Sequence, residues 1–267
     1  MSENPLILVT NDDGIFADGI LALKEALDPL GEVVVVAPDS EKSAVGHAIT
    51  ISDPLRVIEV ERNGQFFGYG VNGTPADCVK LAVKALLKQK PALVASGINR
   101  GPNTGINAIY SGTVSAATEA AFMGIPSFAI SITSFEKVDL SFAQKIARNI
   151  GEKLLREGLP PQTTLNINIP PGDENTIKGI RITRQGKGVF DEFFDKRVDP
   201  NNRVYYWLTG KKMILESEND VDDVAVRNNY VAITPLQFDL THYELIDKLK
   251  TWNLEGDNRQ DGKGTDT

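Results

Sequence analysis

The sequence predicts an α/β fold built on a doubly wound, mostly parallel sheet. Three observations predict it. Short apolar runs rich in β-branched residues alternate with helix-length amphipathic stretches over the first two thirds of the chain. Those runs are apolar throughout rather than alternating, as strands buried on both faces are. At 267 residues the chain has room for one large domain, or one domain with an appendage.

Leu6-Ile7-Leu8-Val9 is the first strand, and it delivers Thr10-Asn11-Asp12-Asp13-Gly14. Asp18 is expected to cap a helix whose Ile20, Leu23, Leu27 and Leu30 share a face, and Gly31 stops it. Residues 32–37, between Gly31 and Pro38, form a buried strand. Residues 55–60 and 65–71 pair as a hairpin turned at Asn63-Gly64. A helix over 75–89 carries Pro75 in its first turn. A strand over 92–96 leads into a Gly/Asn-rich loop. Helix 114–122, strand 126–132, helix 140–156 and strand 164–169 continue the rhythm.

Near Ile180 the character changes to Gly-rich and aromatic stretches, with Phe190, Phe193, Phe194 and Tyr205-Tyr206-Trp207. These aromatics are expected in the core or at a subunit contact rather than as a base-stacking platform. A strand over 230–234 and a helix over 240–252 follow. The polar tail 255–267 is expected to be disordered. The expected organisation is therefore a core over 1–180, an extension over 181–254 and that tail.

Composition narrows the function. A hydrophobic share of 41% and a charged share of 24% are ordinary for a soluble protein. The net charge of -8 argues against DNA or long nucleic acid as a partner, yet backbone dipoles can still build a local phosphate site. Cys78 is the single cysteine, so no internal disulfide forms and a reduced cytoplasm is expected. The start of the chain lacks a basic segment leading into a long apolar stretch, and no run suits a bilayer, so no membrane association is expected. His47 and His242 are the two histidines, which argues against a multi-histidine zinc site.

The chemistry concentrates at strand ends, where ligand sites of open α/β sheets lie. Adjacent carboxylates at Asp12 and Asp13 repel unless a cation joins them; the plainer alternative is a solvated helix-capping turn. The loop after the second strand offers Ser43, and the loop after Ser96 offers Gly97-Ile98-Asn99-Arg100-Gly101-Pro102-Asn103-Thr104-Gly105-Ile106-Asn107. These are oxygen donors without sulfur, a set suited to Mg²⁺, Mn²⁺ or Ca²⁺. Each asparagine alone would equally serve as a turn former. Ser111-Gly112-Thr113 precedes a helix, where hydroxyls and free N–H groups make an anion site or a plain N-cap. Cation, carboxylates and anion cradle together point to metal-assisted hydrolysis of a phosphomonoester.

Two competing motifs are weaker. Gly68-Tyr69-Gly70-Val71-Asn72-Gly73 fits the glycine pattern of dinucleotide sites, but the following strand carries no acid for a ribose. An aspartyl-phosphate phosphatase places its two acids one residue apart, whereas Asp12 and Asp13 are adjacent. His47, near Ser43, is read as a structural loop histidine, with the leaving oxygen of a substrate as its alternative partner. Cys78 is read as packed core.

Five ordered motifs resemble the SurE (survival protein E) nucleotidases: Thr10-Asn11-Asp12-Asp13-Gly14; Ala37-Pro38-Asp39 leading to Ser43; Gly73-Thr74-Pro75-Ala76-Asp77-Cys78-Val79; Ser96-Gly97-Ile98-Asn99-Arg100-Gly101; and Tyr110-Ser111-Gly112-Thr113-Val114. Asp199-Pro200 to Tyr205-Tyr206-Trp207 and Tyr230-Val231-Ala232-Ile233-Thr234-Pro235-Leu236 extend the resemblance to about Asp239. It implies a Rossmann-like core and a C-terminal extension used in homodimers or homotetramers. It implies a 5′/3′-nucleotidase acting on nucleoside monophosphates through a water activated by one Mg²⁺ or Mn²⁺ per subunit. Asp12, Asp13, Ser43 and Asn99 would be the metal ligands. Asp12, Asp13, Asn99 and Ser111 would carry the catalysis. Asn11, Gly97, Asn99, Asn103, Ser111, Gly112 and Thr113 would surround the phosphate. A metal-stabilised nucleotide-binding module without turnover is the alternative. Asn201-Asn202 stands where the family usually has Arg-Gly, so the resemblance implies no specific contact from that hairpin; Asn229 stands where Gly is usual, and Asn tolerates left-handed backbone well.

Overall fold

The structure, a computed structural model, describes residues 4–252 and 254. Of these, residues 4–237 make one compact unit and those from 238 a second. In chain order the first unit holds β1 (Leu6–Thr10), α1 (Asp18–Leu27), β2 (Glu32–Pro38), β3 (Val57–Arg62), β4 (Gln65–Val71), α2 (Pro75–Leu81), β5 (Leu93–Arg100), α3 (Asn107–Tyr110) and α4 (Gly112–Phe122). It continues with β6 (Ser127–Ile132), α5 (Ser141–Glu157), β7 (Thr163–Ile169), β8 (Ile180–Ile182), β9 (Val189–Val198), β10 (Val204–Met213), α6 (Asp222–Arg227) and β11 (Val231–Gln237). The second unit contains α7 (Tyr243–Lys250).

The main sheet runs β3-β4-β2-β1-β5-β6-β7-β11-β8. From β4 to β7 every neighbouring pair is parallel. β3 pairs antiparallel at one edge, and β11 turns antiparallel against β7 at the other. Side chains alternate across β1: Ile7 and Val9 join the core beneath α1 and α5, while Leu8 joins the core beneath α2 and α4. The predicted doubly wound sheet with helices on both faces is what the chain forms.

The details differ in places. Ala17 rather than Asp18 precedes α1, without a side-chain cap, and Asp18 is the first helical residue. The helix expected over 75–89 widens after Leu81 into a π-helical stretch, with Leu87 N–H donating to Ala82 O at 2.9 Å. α4 starts at Gly112 and is buried nearly all round, so its alanines carry no amphipathic signal. Gly68 and Gly70 lie inside β4, so this run is a strand rather than a phosphate-binding turn. Beyond residue 180, β8 and β11 extend the main sheet, while β9 and β10 form a separate hairpin. Asn202 and Asn229 take left-handed backbone, φ 60° and 62°, as substitutes for glycine should. Cys78 is fully buried in the α2/α4 core, and burial pushes its thiol well up. The tail over 255–267 lies outside the described residues. Among the described residues no helix is long and apolar enough to cross a membrane.

Candidate active site at the ends of β1 and β5

The chain leaves β1 toward β2 on one side and later returns to β5 on the other, so the strand order reverses between β1 and β5. Thr10 stands opposite Ser96 across that junction. Open α/β sheets bind ligands in this crevice.

Asp12 is buried, and its Oδ1 accepts the Thr113 hydroxyl proton at 2.6 Å. Burial pushes its carboxyl up from the ordinary range; the hydrogen bonds pull against it and Glu41 pushes with it. Asp13 is pushed up to about 6, first by burial, then by the charges of Asp12 and Glu41, with Arg100 opposing. Such a site gains free energy from a cation. The Ser43 loop is tied to this point through Lys42 N–H, which donates to Asp12 O at 2.8 Å. Ser43 Oγ donates to Glu41 Oε1 at 2.6 Å. Asn99 Nδ2 donates to Gly101 O at 3.0 Å, which leaves the amide oxygen for another partner.

The start of α4 closes the other side. Ser111 is its N-cap and accepts from Val114 N–H at 3.1 Å, so its own hydroxyl proton is available. Gly112 is needed for close approach: a Cβ there would sit 2.8 Å from the Cβ of Asp12 and 3.1 Å from its Oδ2. Gly97 answers to packing instead, since a Cβ would lie 2.4 Å from Ile130 O. Asn103 is held from every side. Its N–H donates to Asn168 Oδ1 at 2.8 Å, and its Nδ2 to Ser131 Oγ at 2.9 Å. Its carbonyl accepts from Asn166 Nδ2 at 2.7 Å and from Asn168 Nδ2 at 3.4 Å.

Asp12, Ser43, Asn99, Asn103 and Ser111 line one cleft of about 270 Å³, with Asn107, Tyr110 and Phe135 at its walls. Asp13 lines the adjoining hollow with Glu41 and Arg100. Asn11 stands behind: it is fully buried, its Nδ2 donates to Gly14 O at 2.9 Å, and its Oδ1 has no partner. The Thr113 hydroxyl and backbone N–H both turn to Asp12, so Thr113 holds that carboxylate in place rather than facing a phosphate with its hydroxyl. His47 Nε2 pairs with Glu119 Oε2 at 2.9 Å and the ring stacks on Phe122, so it braces its loop on α4. A larger hollow of about 690 Å³ over α2 and α4 contains neither Asp12 nor Asp13, and chemistry rather than size selects the strand-end cleft.

The donor set, two carboxylates, a hydroxyl and an amide oxygen, fits a hard divalent cation. Among the described residues no group of three or more His, Cys, Asp and Glu side chains is placed to hold a metal. Ser43 and Asn99 would therefore have to share the coordination. Glu41, Asn166 and Asn168 shape the site without a local motif of their own, and Arg100 does so from within the Ser96–Gly101 motif; Asn166 and Asn168, polar residues two apart in an apolar strand, are the available signal.

Fold and cleft together define an open-sheet α/β protein with an oxygen-donor cleft beside a helix N-terminus at its switch point. A family model described as Survival protein SurE matches residues 7–192, and the chain belongs to the SurE family. It is 51% identical over 248 residues to the 5′-nucleotidase SurE of Syntrophobacter fumaroxidans, covering 93% of this chain and 99% of that one. The 5′-nucleotidase SurE of Chlorobium chlorochromatii is 47% identical, over 94% of this chain and 92% of its own. The crystal structure of the SurE protein from Aquifex aeolicus superimposes with a TM-score of 0.82 at 44% identity, covering 93% of this chain and all of that one.

Proposed function

We propose that this chain is a cation-dependent 5′-nucleotidase that also accepts nucleoside 3′-monophosphates. One observation carries the reading: two adjacent, electrostatically strained carboxylates set against the Ser111-capped start of α4 at the sheet's switch point. Relatives that share about half of its residues over nearly full length bear the name 5′-nucleotidase.

Asp12, Asp13, Ser43 and Asn99 would hold one Mg²⁺ or Mn²⁺ per subunit. Such an ion supplies neutralising charge for phosphate oxygens and acidifies water. The protein does the rest. Hydrolysis joins a water oxygen to phosphorus and breaks the ester bond, so charge gathers on the phosphate oxygens and on the leaving oxygen. The Ser111 hydroxyl and the Gly112 N–H meet that charge at the helix start, while Thr113 holds Asp12 beside it. Asn103 orients the phosphate, Asn11 and Gly97 shape the floor, and the carboxylates orient the water. The attacking water gives up one proton in all, one proton ends on the leaving oxygen, and the products are the alcohol and inorganic phosphate.

We extend the proposal to assembly and place. The exposed aromatic hairpin suits a homodimer or homotetramer, and a buried, unpaired cysteine suits the cytoplasm. The test is phosphate release from a panel of nucleoside monophosphates by chelator-stripped protein, with Mg²⁺ or Mn²⁺ restored, beside an Asp12→Asn/Asp13→Asn variant. Cation-dependent release that the variant loses is the expected result. A folded protein that binds nucleotides but releases no phosphate with either ion would instead be a nucleotide-binding module.

A further inference from the structure

The loop that carries Asn103 is fastened at its far side by a buried ionic junction that the reaction itself does not use. Lys212 near the end of β10 spends all three ammonium protons there. They go to Thr104 O at 2.9 Å, Thr104 Oγ1 at 2.8 Å and Asp223 Oδ1 at 2.6 Å. The Thr104 hydroxyl donates in turn to Asp223 Oδ1 at 2.5 Å. Beside it, the Asp222 carboxylate accepts the N–H groups of Gly105 at 2.8 Å, Gly186 at 2.9 Å and Asp223 at 2.7 Å. Gln185 Nε2 donates to Gly105 O at 2.8 Å. Thr104, Asp222 and Asp223 are buried, and the Lys212 side chain is 17% exposed.

This is costly hardware for an ordinary loop. Burying two adjacent carboxylates carries a desolvation penalty that one ammonium offsets only in part. What it secures is the residue next to Thr104. Asn103 has its peptide groups locked by β7 and its side chain on Ser131, in the cleft with Asp12. A shift of Thr104 moves Asn103 directly. Lys212 belongs to the β9–β10 hairpin, so the hairpin base and the phosphate cleft share one hydrogen-bonded joint.

We propose that Lys212 and Asp223 are positioning residues for the nucleotidase reaction, acting through Thr104 to set Asn103 against the substrate phosphate. The proposal rests on the phosphate role given to Asn103 above.

The test is a double-mutant cycle on the full-length protein. One arm is Lys212→Met/Asp223→Asn, which removes both charges of the ion pair together and leaves the Asp222 carboxylate on its three N–H donors. The other is Asn103→Ala. The measured quantities are kcat and KM for a nucleoside monophosphate, inhibition by inorganic phosphate, the cation concentration giving half-maximal rate, and assembly mass. The junction variant should lose about 10–100-fold in kcat/KM, as removal of supporting partners does elsewhere. Its phosphate inhibition constant should rise, with cation requirement and mass unchanged. Placed on Asn103→Ala, the same change should cost almost nothing more. Losses that multiply in the combined variant would overturn the proposal, as would a lower melting temperature with unchanged kinetics. If the junction variant does not fold, Thr104→Val replaces it in the same cycle, with Thr104→Ser expected to restore activity. Failure of the underlying reading looks different: wild-type protein releases no phosphate, or Asn103→Ala alone changes nothing.

Discussion

At the ends of β1 and β5, polar side chains are buried and most of their atoms are engaged; along β9 and β10, apolar side chains stand in water. Asp12, Thr113 and Asn103 are within 8% of full burial, and each has a fixed partner. Trp207 and Leu208 are 59% and 56% exposed, and they point to opposite faces of the hairpin. A two-stranded hairpin apolar on both faces is marginal by itself in water. The cleft spends its polar groups on one another, whereas the hairpin leaves apolar side chains exposed on both faces. Internal wiring marks a place for chemistry, and unspent apolar surface marks a place for contact.

The largest effect that sharpens this contrast comes from cutting the bond that fixes Asp12. Thr113→Val removes the hydroxyl that holds Asp12, and phosphate release should fall by about 10–100-fold, with a matching rise in the cation concentration required. Thr113→Ser should keep most of the activity. An unaffected valine variant would show that the cleft does not depend on its internal bonds.

A second effect concerns charge. Asp13 titrates near 6 when folded, above the ordinary aspartate value of 3.8. The folded state thus binds a proton more tightly than the unfolded chain. That contribution to stability is fully present below the unfolded value and is lost as pH rises through about 6. Asp13→Asn should therefore stabilise metal-free protein at pH 8, by about 1–3 kcal/mol in denaturant unfolding, with the gain gone in acid. A gain that persists unchanged at low pH would place its origin elsewhere than in the carboxylate's charge.

The smallest effect on folding belongs to the hairpin. Trp207→Glu/Leu208→Glu puts a charge on each face and should change unfolding free energy of the single chain by about 0.5 kcal/mol or less. Sedimentation should nonetheless show a lower assembly mass than wild type. A mass that stays constant would remove the hairpin from the contact.

The sheet was legible because buried strands announce themselves: β1, β2, β5 and β6 are apolar runs with sharp Gly or Pro boundaries. β8 is three residues long and α6 six, too short for a period to register. Acids at Asp222 and Asp223 with Arg227 at the other end were the one cue for α6, in the order the helix dipole favours. The strand-end acids and the Ser111 cap were also readable, since their chemistry needs neighbours in sequence. The Thr113–Asp12 bond and the Lys212–Thr104 joint bridge 101 and 108 residues, and no local pattern encodes such pairings.

Asn166 and Asn168 are two residues apart on β7, so both side chains leave the same face of the strand and grip the same carbonyl, that of Asn103. A strand's repeat is set by covalent geometry and barely varies. The middle of a buried loop is in this way referenced to a strand of the main sheet. Small loops usually wander with temperature; this one should keep its calibration while β7 and the Lys212 joint both hold.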